Sequence, residues 1–185
     1  MRLPLVLASQ SPRRRELLAT AGIPHTVRIS DVEEIRAPSE LPDAYVRRLA
    51  RDKAEAAWQG RAEIVLGADT VVVLGQEVLE KPRDGADARG MLRRLAGREH
   101  VVITGICLRH AGGVTIDSSA TRVCFTPLTD AEIDEYVASG EPMDKAGAYA
   151  IQGLASKFVD RIEGCYFNVI GLPLSQVYRY LKLLE

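Results

Sequence analysis

Between Ile64 and Leu74 the chain is almost unbroken in apolar and β-branched residues, with a single carboxylate, Asp69, at its centre. Such a run reads as a β-strand. Aspartate disfavours strands, and a charge buried in one needs a partner, a metal or a raised pKa. Gly67 and Ala68 remove bulk beside the carboxylate, as a site admitting a ligand would require. A blander reading treats Gly67-Ala68-Asp69 as a bend between two strands. On the first reading the strand carries chemistry; on the second it is only punctuation.

Other segments assemble around this one. Leu3 to Ala8 reads as a buried strand, and Ser11-Pro12 opens a helix with Ser11 as N-cap and Gly22 as terminator. Tyr45, Val46, Leu49, Ala50, Ala54, Ala57 and Trp58 follow helical spacing up to Gly60. Gly75-Gln76 is a turn into a short return strand, Glu77 to Glu80. That turn would place Thr70 opposite Lys81 and point Asp69 to the other face, so a site using both Asp69 and Lys81 needs a bulge or a strand end. A helix spans Ala86 to Ala96, and Val101 to Leu108 pairs with Val114 to Phe125 as a hairpin. Thr129 and Glu132 form a capping box, and Leu174 to Leu184 closes the chain as a helix. Strands interleave with helices, yet hairpins occur, so the expected fold is one compact α/β unit with a mixed sheet.

Composition removes several function classes. The formal net charge is −1, from 24 basic and 25 acidic residues, so no global field attracts a nucleic-acid backbone. The first apolar stretch is too short for a signal peptide, and no run approaches membrane-spanning length. Cys107, Cys124 and Cys165 lie far apart, as do the three histidines, which argues for reduced thiols and against a zinc site or a Ser-His-Asp hydrolase. Neither a Walker loop nor GxGxxG is present. The expected protein is soluble and cytoplasmic, without nucleic-acid or membrane partners.

Four further features look chemical. Ser9-Gln10-Ser11-Pro12-Arg13-Arg14-Arg15 runs from a strand into a helix N-terminus, where free N–H groups, the helix dipole and arginines favour an anion; a solvated basic face is the alternative. Lys53 sits on the apolar stripe of its helix and either snorkels or reaches into a cleft. Lys81-Pro82 follows the return strand. Gln152 is a lone amide in the Gly-rich stretch from Gly147 to Gly153, with a donor and an acceptor side by side; a purely structural Gly-rich bend is the alternative. If Gln152 reads the polar edge of a ligand, its amide must be held by its neighbours, here the Gly147–Gly153 backbone, since a freely rotating one could flip.

In order, Leu7-Ala8-Ser9-Gln10-Ser11-Pro12-Arg13-Arg14, Leu49-Ala50 through Lys53-Ala54, Gly67-Ala68-Asp69-Thr70, Glu80-Lys81-Pro82, Asp144-Lys145-Ala146-Gly147, Ile151-Gln152-Gly153 and Gly171-Leu172-Pro173 resemble the Maf family of nucleotide pyrophosphatases. The resemblance spans nearly the whole chain, with Gln10 where a small residue is common. It implies an elongated mixed sheet with flanking helices and a cleft between two lobes that share one core, as in inosine-triphosphate pyrophosphatases. It implies hydrolysis of dTTP and UTP to monophosphate and pyrophosphate, with Asp69 as proton acceptor. Ser9, Arg13, Arg14, Lys53 and Lys81 would hold phosphates. Asp69 and Glu34 would bind Mg²⁺ or Mn²⁺, and Arg13, Thr70 and Gln152 would set base choice. A homodimer is implied by the family alone. The rival readings are a 7-methyl-GTP pyrophosphatase, whose branch has Asp-Gln and a glutamate at these positions, and a non-catalytic regulator of septum formation.

Overall fold

A computed structural model describes residues 3–29 and 31–184. Along the chain the strands are β1 (Leu5–Ala8), β2 (Thr26–Val27), β3 (Ile64–Leu74), β4 (Glu77–Leu79), β5 (Glu99–His110), β6 (Gly113–Phe125) and β7 (Val159–Glu163). The helices are α1 (Pro12–Thr20), α2 (Pro42–Ala57), α3 (Gly85–Leu95), α4 (Asp130–Ala138), α5 (Tyr166–Ile170) and α6 (Leu174–Leu183). The strands form one mixed sheet in the order β2-β1-β3-β5-β6-β7, with β4 also paired to β3. β1 runs parallel to β2 and β3, whereas β4 and β7 pair antiparallel with β3 and β6. No helix of the described residues is long and apolar enough to cross a membrane.

The chain resolves into two compact units. The first takes residues up to Thr70, Thr104–Ser119 and Gly171 onward; the second takes Val71–Ile103 and Ala120–Ile170. β3, β5 and β6 each contribute residues to both.

In the first unit α2 lies against the sheet at backbone distance. A Cβ added at Gly67 on β3 would fall on the carbonyl oxygen of Ala50 and 2.9 Å from the amide nitrogen of Ala54. One added at Gly105 on β5 would meet the carbonyl of Val46 and approach the nitrogen of Arg47 to 2.7 Å. Gly67 therefore serves close helix packing, and not room for a ligand as its place beside Asp69 suggests. Val6, Ala8, Ala50, Ala54, Ala57, Val65 and Cys107 fill the seam with small and branched side chains.

The second unit encloses an aromatic core. His100, Phe125 and Tyr149 pack edge to face in all three pairings, and Phe158 joins through Phe125 and Tyr136. His100 shares a 2.8 Å hydrogen bond between Nε2 and the Tyr149 hydroxyl. Burial pushes its pKa down to about 4, so it is a neutral core residue at physiological pH.

Several local expectations hold and a few change. Ile64–Leu74 is one continuous strand, so the bend reading fails. The capping box of α4 is present, and Gly22 is left-handed past α1. Ser11 occupies the N-cap of α1, but its side chain makes no cap bond; instead its N–H donates to Ser9 Oγ at 3.2 Å. Pairing of Leu74 with Glu77 agrees with the two-residue turn, yet β4 ends at Leu79, and Lys81 lies past the strand end. The Gly-rich segment after Lys145 holds two short 3₁₀ turns (Ala146–Ala148 and Leu154–Phe158), β7 and α5, none of them evident from periodicity.

Gly67→Ala is expected to destabilise the protein by roughly 1–3 kcal/mol or more, because the obstructing atoms belong to backbone and cannot rotate away. Equilibrium denaturation of the variant checks this; wild-type stability would contradict the packing account.

Candidate functional site

Because α2 approaches β3 so closely, Lys53, on the sheet-facing stripe of the helix, meets Asp69 on the strand. Lys53 Nζ donates to Asp69 Oδ1 at 2.6 Å and lies 2.6 Å from Glu34 Oε1. Asp69 and Lys53 are each 8% exposed, so the lysine reaches inward and does not snorkel. Burial pushes the Asp69 carboxyl above its ordinary range, against the lowering influence of Lys53 and Arg14. A carboxylate with raised proton affinity suits proton abstraction.

Glu34 reaches the ammonium from the connection between β2 and α2. This segment is fastened to α2: the Tyr45 hydroxyl donates to the Glu34 carbonyl at 3.1 Å. Arg48 donates to both carboxylate oxygens of Glu40, at 2.7 and 2.8 Å, and to the Ile35 carbonyl at 2.9 Å. That fork lowers the Glu40 pKa and raises that of Arg48.

Arg14 departs most from expectation. Its side chain turns inward to protein. Nε donates to the Gly171 carbonyl at 2.8 Å, Nη1 to the Ala68 carbonyl at 2.8 Å and Ser9 Oγ at 3.2 Å, and Nη2 to Thr70 Oγ1 at 3.0 Å. It thus grips the residues on either side of Asp69. Four bonds to protein leave one of the five guanidinium N–H groups for anything else, so framing Asp69 is the better account of it than gripping phosphate. Burial lowers its pKa, and the charge of Asp69 opposes that. Because Thr70 Oγ1 accepts from Arg14, its own proton is available to Thr104 Oγ1, 2.9 Å away. Arg13 stands beside Arg14 at the start of α1, half-buried, close enough to act on it electrostatically.

The first unit thus collects Ser9, Arg13, Arg14, Glu34, Lys53, Asp69 and Thr70, while Lys81 and Gln152 belong to the second. There the Glu80 carbonyl, one residue before the exposed Lys81, accepts from Gly147 N–H at 3.1 Å. Gly147 is left-handed (φ +68°) and packs on Val72, whose Cγ2 a Cβ would approach to 2.8 Å. Gln152 is exposed, and among the described residues its amide takes no hydrogen bond. The amide is therefore not locked as the sequence suggested; what is held is the turn beneath it, through Tyr136 and Glu141.

A metal could be held by Asp69 and Glu34. Their carboxylates already share one cation, the Lys53 ammonium, and are hard oxygen donors of the kind Mg²⁺ and Mn²⁺ take. Among the described residues no group of three or more His, Cys, Asp and Glu is arranged for a metal; two carboxylates suffice where substrate phosphates and water complete the shell.

Sequence reasoning missed the fasteners: Tyr45, Arg48, Thr104, Tyr136 and Glu141. They fit ordinary helix, strand or surface patterns, and only the meeting of distant segments gives them a role.

Residues 4–184 match the family described as Maf-like protein. A protein of Anaeromyxobacter dehalogenans (strain 2CP-C) named dTTP/UTP pyrophosphatase is 55% identical over 182 residues, covering 96% of this chain and 92% of that protein. One of the same name from Vibrio cholerae serotype O1 is 51% identical over 179 residues, covering 96% of both. Among solved structures, the Staphylococcus aureus Ham1 protein aligns with a TM-score of 0.53 over 98% of this chain and 100% of that one, at 13% identity. That last likeness is one of fold. With the match running almost from end to end, and the curated relatives at about half identity, the chain belongs to the Maf-like protein family.

Proposed function

We propose that this protein hydrolyses dTTP and UTP between the α and β phosphates, giving the nucleoside monophosphate and pyrophosphate. The observation that carries the reading is Asp69: a buried carboxylate of raised pKa, held by Lys53 beside Glu34, with Arg14 of α1 bonded to the residues on either side of it. Relatives named for dTTP and UTP support the substrate pair. A non-catalytic regulator would have no use for such a carboxylate, and Thr70 with Gln152 favours the pyrimidine branch over 7-methyl-GTP.

In this reading a water oxygen bonds to the α phosphorus, the bond from that phosphorus to the bridging oxygen breaks, and pyrophosphate leaves with the electron pair. Asp69 accepts the water's proton. Lys53 fixes the direction of the carboxylate, and Arg14 fixes the strand on both sides of it. Ser9, Arg13 and Lys81 bind phosphate oxygens. Mg²⁺ or Mn²⁺ on Asp69 and Glu34 would supply charge neutralisation at those oxygens. Three free thiols suit a reducing cytoplasm. A homodimer is part of the proposal on family grounds only.

Hydrolysis in ¹⁸O-water should place the label in the monophosphate. Label in pyrophosphate, or orthophosphate as the first product, would overturn α–β cleavage. Asp69→Asn keeps shape and removes the charge, so turnover should fall by roughly 10²-fold or more in a folded protein. In the wild type, kcat/KM should fall as the pH is lowered far enough to protonate Asp69, because the base works only when deprotonated. Near-normal turnover in the variant would remove Asp69 from the mechanism. Gln152→Ala should lower kcat/KM for dTTP and UTP by roughly tenfold, the size of one or two lost hydrogen bonds, while changing CTP much less. Equal loss on all three nucleotides would assign Gln152 to structure instead of base reading.

A further inference from the structure

Gln152 rides on a five-residue span, Ala150 to Leu154, whose two ends are fastened by a single pair of side chains. Ala150 N–H donates to the Tyr136 hydroxyl oxygen at 3.1 Å. The Tyr136 hydroxyl in turn donates to Glu141 Oε1 at 2.8 Å. The other carboxylate oxygen, Oε2, accepts from Leu154 N–H at 3.1 Å. Between these anchors Gly153 N–H donates to the Ala150 carbonyl at 3.0 Å and closes a tight turn. A Cβ at position 153 would fall on the Glu141 carboxylate, so only glycine lets the carboxylate sit against the turn.

The anchors are themselves held. Tyr136 is 2% exposed and packs edge to face on Phe158 at 5.5 Å. Glu141 N–H donates to Ser139 Oγ at 3.2 Å, and its carbonyl accepts from Lys145 Nζ at 2.7 Å. A left-handed Gly140 turns the chain from α4 into this position.

This geometry bears on base choice. Uracil and thymine offer an N3–H donor beside the O4 acceptor; cytosine offers an N3 acceptor beside an amino donor. An exposed amide can rotate to suit either pattern, so the Gln152 side chain discriminates only while the turn beneath it holds its backbone in one place. Discrimination needs polar groups of fixed direction. The peptide N–H and C=O of Gln152 take no hydrogen bond among the described residues, and the turn fixes where they point. We infer that Tyr136 and Glu141 are positioning residues that set the preference for uracil and thymine by fixing the turn that carries Gln152. The inference rests on the reading of Gln152 as a base-contacting residue proposed above.

The test measures kcat and KM for dTTP, UTP and CTP on the wild type and on Tyr136→Phe, Glu141→Ala, Glu141→Gln and Gln152→Ala. Tyr136→Phe leaves Ala150 N–H without its acceptor, and Glu141→Ala does the same to Leu154 N–H. Both should lower the ratio of kcat/KM for dTTP over CTP by about tenfold, mainly through a higher KM for dTTP. Glu141→Gln keeps an oxygen for Leu154 and offers an N–H₂ to the Tyr136 oxygen, so it should hold the ratio within about threefold of wild type. A ratio unchanged in folded Tyr136→Phe and Glu141→Ala, while Gln152→Ala narrows it, overturns the positioning role alone. A ratio unchanged in all of them overturns the base-reading role of Gln152 and the inference with it. Amide hydrogen exchange supplies a readout that needs no variant: slow exchange at Ala150 and Leu154 in the wild type is expected, and fast exchange at both overturns the fixed turn.

Discussion

Everything chemical in the first unit depends on how near α2 can come to the sheet. A helix normally packs on a sheet through side chains on both surfaces. Here Gly67 and Gly105 present bare backbone to the backbone of α2, and alanines at positions 50, 54 and 57 keep the helix side thin. The gain is reach: a lysine on the packed face of the helix spans the remaining gap and places its ammonium 2.6 Å from a carboxylate on the strand. A bulkier seam would lift α2 and leave Asp69 a buried charge without its partner, a strongly destabilising arrangement.

The charges are arranged around the same constraint. Two cations, Lys53 and Arg14, approach Asp69 differently. Lys53 contacts the carboxylate directly, whereas Arg14 binds the carbonyl before it and the hydroxyl after it. The first partner sets the charge environment, and the second sets the direction of the strand. Burial dominates the proton affinity of Asp69 against the lowering influence of both cations, so the carboxylate is a better base than one in water.

How far the sequence reveals this can be judged residue by residue. Asp69 stands out because a charge in an apolar strand violates local preference, and Lys53 because it interrupts an apolar stripe; both violations mark chemistry. Arg14 obeys no local rule that separates it from Arg13 or Arg15, so its inward direction is visible only once Gly171 and Ala68 are brought beside it. Gly67 carries a true signal with two explanations, ligand access and helix packing, and only the position of Ala50 decides between them. The 3₁₀ turns after Lys145 escape periodicity because each is too short to develop one. Tyr136 and Glu141 read as an ordinary helix residue and an ordinary surface acid, since their meaning lies in contacts across the chain.

The bonds of Arg14 have a consequence for how activity is lost. They join the end of β1, the middle of β3 and the segment entering α6, all through one side chain with little access to water. Such a tie opens only when the elements it joins come apart together. The Glu34 segment is held instead by partly exposed pairs, which local fluctuation can break and remake. Heating or denaturant should therefore act on the site in two stages. Loosening of the Glu34 arm would be graded and reversible, while loss of the Asp69 frame would coincide with the cooperative unfolding of the whole unit, so turnover lost ahead of the unfolding transition reports the arm and turnover lost within it reports the frame.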